Sequence, residues 1–233
     1  LHEAAIRTKL NNNHGLFEDC ARERFGYGGD MVALAASQTF SFNVAGLIDK
    51  TLADFARDQT ERGGLPETAP FMGIGSNGPA YGEGPLIWQI AYPYLALVAD
   101  RVCGRRDLLE REWAGIERFG DYLLGFDAAE LAPHCLGDHG SLIAQGFSSG
   151  SPDKEFVGWC AILWALGLVC EAGERLGCDV ERFAAAAAEL RPRIIDRFKH
   201  ENGSFGDGTQ TSWAFAAELG LGDQSELVGA LVR

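Results

Sequence analysis

The sequence predicts an all-α fold, and three observations carry that expectation. Apolar residues recur every three or four positions along most of the chain, the spacing that lines one face of a helix. No two segments show the alternating pattern of a strand pair. Glycine-rich stretches, Gly63-Gly64-Leu65-Pro66, Gly73 to Pro79 and Gly146 to Pro152, punctuate the helical segments as loops.

Taken in order, helices are expected over residues 4–11, 31–44, 46–61 and 86–102. Leu109, Trp113, Ile116 and Leu123 then trace one helix face, and residues 155–175 follow. Phe183, Ala187, Leu190, Ile194 and Phe198 trace another face. Pro192 falls inside it, so a kink or an early helix end is expected there, because proline removes a donor and crowds the preceding turn. Further helices are expected over 211–219 and from Ser225 to the end. The first helix has no N-terminal cap and the last stops while still apolar, as if the chain were part of a larger protein, with one domain over 1–233. The glycine-rich loops contain Phe, Met and Ile, which suits packing onto the domain better than flexible linkage. Short turns alternating with longer decorated loops suggest stacked helical hairpins with function on one side.

A chain of 233 residues is long enough for one sizeable core. Acidic side chains outnumber basic ones by 33 to 20. That balance repels phosphate backbones and anionic lipid, so neither nucleic acid nor membrane is an expected partner. No apolar run is long enough to span a bilayer, and Leu1-His2-Glu3 does not start a signal pattern. Cys20, Cys103, Cys135, Cys160, Cys170 and Cys178 are scattered without zinc-type spacing, which points to reduced thiols and a cytoplasmic setting, secretion being compatible with a signal before Leu1. The histidines show no paired ligand spacing on a helix face, so neither metal nor cofactor is expected; His134, Cys135, Asp138 and His139 form the one local cluster.

The segment from Asp19 to Asp30 reads Asp-Cys-Ala-Arg-Glu-Arg-Phe-Gly-Tyr-Gly-Gly-Asp. Such a sequence makes a poor core. Glycines allow close backbone approach, acids at a helix start suit its dipole, and an aromatic ring offers a sugar an apolar face. A solvated helix-entry loop with internally paired charges has the same composition, with Asp30 as a helix N-cap and Tyr27 as an anchor.

This segment resembles the signature of bacterial α-L-rhamnosidase catalytic domains, aspartate-cysteine-proline-x-arginine-glutamate-arginine-x-glycine-tyrosine-glycine-glycine-aspartate. The likeness continues, in the family's order, through Ser41-Phe42-Asn43-Val44, Leu65-Pro66-Glu67-Thr68-Ala69-Pro70, Tyr81-Gly82-Glu83-Gly84, Leu136-Gly137-Asp138-His139 and Asp207-Gly208-Thr209-Gln210-Thr211. The resemblance implies an (α/α)6 barrel of the six-hairpin glycosidase type, and inverting hydrolysis of terminal α-L-rhamnosides without a metal in the chemical step. The implied partner is a rhamnose-containing glycoside or oligosaccharide.

Inversion requires one carboxylic acid to protonate the leaving oxygen and a more distant carboxylate to activate water. By resemblance Glu23 is the acid, Asp19 and Asp30 hold sugar hydroxyls, Arg22 binds substrate and Tyr27 packs on the ring. Tyr81 and Glu83 stand where the family commonly has tryptophan and aspartate, and His139 where a third aromatic is common. Burial or like charge near Glu23 would raise its proton affinity, whereas Arg22 and Arg24 would lower it. The sequence departs from the pattern in lacking the proline, in being a residue shorter between Cys20 and Arg22, and in having Asn43 and Glu83 for aspartates. The family's general base lies in a later tryptophan-glutamate segment, and after Thr211 only Glu218 and Glu226 remain. The chain is therefore expected to hold the acid half of the site and about two thirds of the barrel. Another enzyme of this architecture, of the uronide or trehalose type, and a degenerate carbohydrate-binding protein without turnover are the alternative readings.

Overall fold

The computed structural model describes residues 1–19, 23–138 and 153–232. Cys20, Arg22, His139 and the loop 146–152 therefore lie outside the described residues. Among the described residues the secondary structure is helical, with three isolated β-bridges, Asn13 to Phe17, Tyr27 to Thr68 and Lys199 to Phe205.

The helices are α1 (His2–Asn11), α2 (Gly28–Thr39), α3 (Ala45–Asp58), α4 (Leu86–Gln89), α5 (Ala91–Cys103), α6 (Arg106–Leu124), α7 (Ala128–Leu131), α8 (Lys154–Leu176), α9 (Glu181–Phe198), α10 (Gln210–Glu218) and α11 (Gln224–Leu231). A 3₁₀ turn, Ala132–His134, extends α7. Chain neighbours pack as hairpins: α5 on α6, α8 on α9, α10 on α11. Contacts of α2 and α3 with α5, and of α6 with α8, join the hairpins side by side. Phe17, Phe55, Tyr92, Phe119, Phe156, Phe183 and Phe205 are fully buried among aliphatic residues of the same core. The long α8 is apolar on nearly every side because it lies in the middle of this array; most of it is buried in protein.

Several helix boundaries differ from the sequence expectation. The helix expected over 86–102 is split at Ile90, because Pro93 has no N–H to donate to the Gln89 carbonyl. Helix α2 begins at Gly28 and stops at Thr39, earlier at both ends than expected, so Asp30 lies in its first turn and Tyr27 occupies the N-cap position. Conversely, α9 runs through Pro192 and ends at Phe198. Phe183, Leu190 and Ile194 are buried on either side of the proline, while Pro192 and Ala188 are both exposed, so the orphaned Ala188 carbonyl faces water. Packing across the break outweighs a local penalty of about 3 kcal/mol.

Caps fix the later helices where the sequence placed them. Thr209 and Ser212 form a reciprocal capping pair at the start of α10, and the Asp223 carboxylate accepts from Ser225 and Glu226 N–H groups at the start of α11. Cys103, Cys135, Cys160, Cys170 and Cys178 carry free thiols. Burial pushes the Cys135 thiol up to about 12, leaving it unreactive.

Because the Pro192 ring adds nothing to the core, Pro192→Ala should stabilise the protein by about 1 to 2 kcal/mol. Urea denaturation checks this; an unchanged or lower midpoint would mean that the proline shapes α9 in a way the packing requires.

Candidate active site

The acidic segment is built on a two-bond neck. The Asp19 N–H donates to the Phe25 carbonyl at 2.9 Å, and the Phe25 N–H donates to Asp19 Oδ1 at 3.0 Å. Asn12 Nδ2 steadies the Asp19 carbonyl at 2.8 Å. Beyond the neck, Glu23 is exposed, and Arg24 takes a left-handed conformation with φ of 60° that turns the chain back.

The returning strand is clamped to the loop after α3. The Gly28 N–H donates to the Glu67 carbonyl and the Ala69 N–H to the Gly26 carbonyl, both at 2.9 Å, with Tyr27 bridged to Thr68 between them. Gly26 is needed for this approach: a Cβ there would lie 2.6 Å from the Ala69 oxygen. On the next turn, side chains on Gly28 or Gly29 would collide with Trp88, which packs against the start of α2. The Trp88 and Tyr27 rings are 5.0 Å apart, tilted by 58°. The glycine doublet is thus a seat for an indole.

The Tyr27 hydroxyl collects the acids. Glu23 is hydrogen-bonded to it, and the charges of Glu67 and Asp19 act on it as well. Burial first, and then these carboxylates, hold the phenol well above its ordinary proton affinity. The Arg24 guanidinium is turned towards Glu18, with which it pairs at 3.2 Å beside His14. Glu18 is buried, so this cation neutralises an interior carboxylate next to the site. Asp30, in the first turn of α2, sits where a negative charge is favoured by the helix dipole.

The remaining expected site residues fall elsewhere. Tyr81 is 79% exposed, with its ring edge-on to Phe71 at 6.2 Å. Glu83, expected to contact substrate, is fully buried: Tyr122 Oη donates to it at 2.8 Å and Thr60 Oγ1 at 3.1 Å. Its carboxylate is thus held by two donors in the interior. Asp138 accepts from Thr211 Oγ1 at 2.7 Å, joining two of the segments quoted above. Asp153 ties the 207–209 loop to the start of α8: its N–H donates to the Asp207 carboxylate, and its own carboxylate accepts from the Asp207 N–H and the Thr209 hydroxyl. Sequence reasoning missed Glu67 and Trp88 as site residues. Glu67 is 2% exposed and bonded by Asn77 Nδ2 at 2.8 Å. Its proton affinity is raised by burial, with the Asn77 bond opposing. Among the described residues no three His, Cys, Asp or Glu side chains come together in a form that would hold a metal ion.

A profile of the family described as the bacterial alpha-L-rhamnosidase 6 hairpin glycosidase domain matches residues 1–232. No curated protein matches the chain. Among solved structures, the alpha-L-rhamnosidase from Dictyoglumus thermophilum superposes with a TM-score of 0.83 at 21% identity, over 99% of this chain and 26% of that one. The enzyme from Aspergillus terreus gives 0.80 at 20%, over 99% and 28%. That from Streptomyces avermitilis, complexed with L-rhamnose, gives 0.74 at 18%, over 96% and 22%. The chain thus spans between 22% and 28% of the length of these three chains. It belongs to the bacterial α-L-rhamnosidase six-hairpin glycosidase family, and its helices form part of an all-α barrel of that type.

Since Glu83 depends on inward donors, Tyr122→Phe should lower stability by about 1 to 3 kcal/mol by leaving a buried carboxylate short of a partner. Thermal unfolding of Tyr122→Phe beside the double variant Tyr122→Phe/Glu83→Leu separates the causes. Recovery in the double variant is expected, and further loss would contradict this account of Glu83.

Proposed function

We propose that this chain, as a member of that family, supplies the acid half of a glycosidase that releases terminal L-rhamnose from α-rhamnosides with inversion. The observation that carries the reading is Glu23: an exposed carboxyl bonded to the Tyr27 phenol, with two further carboxylates, Asp19 and Glu67, acting on the same hydroxyl. An exposed carboxyl held by a phenol is placed to deliver a proton to a leaving glycosidic oxygen. Arg24, next to Glu23 in sequence, is paired with Glu18.

Asp19, Arg22 and Asp30 would then hold hydroxyls, and Tyr27 and Tyr81 would offer ring faces to the sugar and its methyl group, with His139 beside them. Glu83 would act from behind, fixing Tyr122 and the 64–65 turn. Water activation requires a second carboxylate further from the anomeric carbon than the acid, and that base is assigned outside residues 1–233. The rhamnose complex of the Streptomyces avermitilis enzyme supports the choice of sugar.

A panel of nitrophenyl glycosides tests the substrate class in the full-length protein. Preference for α-L-rhamnoside is expected, and preference for a glucoside or uronide would sink the reading. Glu23→Gln should lower kcat by about a hundredfold or more while rhamnose affinity stays within a few-fold. Unchanged turnover would remove Glu23 as the acid.

A further inference from the structure

Glu18 is a buried carboxylate beside the site that the proposed reaction does not use. Only 3% of it is exposed, and its stretch of chain is well anchored: Phe17 before it is fully buried, and the Glu18 N–H donates to the Asn12 carbonyl at 3.0 Å. Its two oxygens have separate partners. Oε1 lies 2.9 Å from His14 Nδ1, and Oε2 accepts from Arg24 Nη1 at 3.2 Å. Arg24 Nη1 is also 3.1 Å from His14 Nδ1, so the three side chains close on one another. A carboxylate taken out of water needs its cation, which ties the Arg24 guanidinium to a fixed point in the interior.

Arg24 follows Glu23 directly, and its φ is 60°. A Cβ makes that conformation unfavourable, so it persists where the surroundings hold it. The neck between Asp19 and Phe25 closes the loop without setting the direction of the chain at Glu23. That direction is set at Arg24, because a return to an ordinary negative φ would swing Glu23 about the Arg24 N–Cα bond by about 120°. We propose that Glu18 is a positioning residue for Glu23: by holding the Arg24 guanidinium, it keeps position 24 in the left-handed turn that directs Glu23 outward from the neck. The inference rests on the assignment of Glu23 as the acid. What separates it from simple neutralisation of a buried ion is the backbone, since glycine adopts a φ of 60° without any tether.

The experiment is steady-state kinetics of the full-length protein on a nitrophenyl α-L-rhamnoside, with thermal unfolding of each variant alongside. Alanine and glycine at position 24 remove the same guanidinium, so a difference between them reports backbone conformation and not charge. Arg24→Ala and Glu18→Gln should each lower kcat by about ten- to a hundredfold, because the acid is displaced from the leaving oxygen. KM should stay within about fivefold, since Asp19 in the neck and Asp30 on α2 lie outside the turn. Arg24→Gly should keep kcat within about threefold of the native value. The double variant Glu18→Gln/Arg24→Gly has neither a strained residue nor an unpaired buried ion, and it should turn over faster than Glu18→Gln alone. Native kcat in Glu18→Gln, or glycine no better than alanine at position 24, would overturn the proposal and leave the pair a support of the fold. Where Glu18→Gln does not fold, the comparison of alanine with glycine decides. Retained turnover in Glu23→Gln is a separate result that would remove Glu23 as the acid; loss of turnover there without rescue by glycine would overturn the role of Glu18 alone.

Discussion

The site depends on one backbone pairing, between residues 26–28 and 67–69. Two hydrogen bonds of 2.9 Å and the Tyr27–Thr68 bridge between them join the strand entering α2 to the loop leaving α3. Together with the Asp19–Phe25 neck, that clamp gives the acidic segment its geometry. It requires glycine at position 26, sets the starting point of α2 and brings Gly28 and Gly29 under the Trp88 indole. The loop is in turn anchored from inside: Gln89 accepts from Leu65 N–H and donates to the Gly84 carbonyl, and both residues are buried. A short stretch of pairing in a helical protein thereby does what a sheet does elsewhere, holding side chains from distant parts of the chain in a fixed relation.

The electrostatics of the site follow from where the charges are sent. Glu23 has an arginine on either side in sequence, which by proximity alone would favour its ionised form. The structure directs Arg24 to the buried Glu18, so the nearest cation with a described position serves an interior carboxylate. Around the Tyr27 hydroxyl remain Glu23, Glu67 and Asp19.

Much of the fold was legible in the sequence because helical periodicity is a local signal. The stretches around Leu109–Leu123 and 155–175 became α6 and α8 nearly to the residue, since each buries a continuous apolar surface against neighbours. Boundaries failed where a single residue acted against the pattern, as Pro93 did at Ile90, or where burial outweighed it, as at Pro192. For the site, the motif indicated Asp19, Glu23, Tyr27 and Asp30, of which the structure brings the first three together. Glu67 and Trp88 were not legible as partners, because their relation to Tyr27 arises from pairing and packing between segments forty or more residues apart in the chain. The inward fate of Glu83 was equally hidden, since it turns on Tyr122, a residue three helices later.

In the function proposed above, Glu23 is the acid of an inverting rhamnosidase and the base is a carboxylate not among residues 1–233. Proton NMR of the sugar first released from an α-L-rhamnoside by the full-length protein tests that claim most directly. The β-anomer of L-rhamnose should appear first and then mutarotate, because water attacks from the face opposite the leaving group. Initial appearance of the α-anomer would show retention, and a nucleophile close to Glu23 would have to replace the distant base.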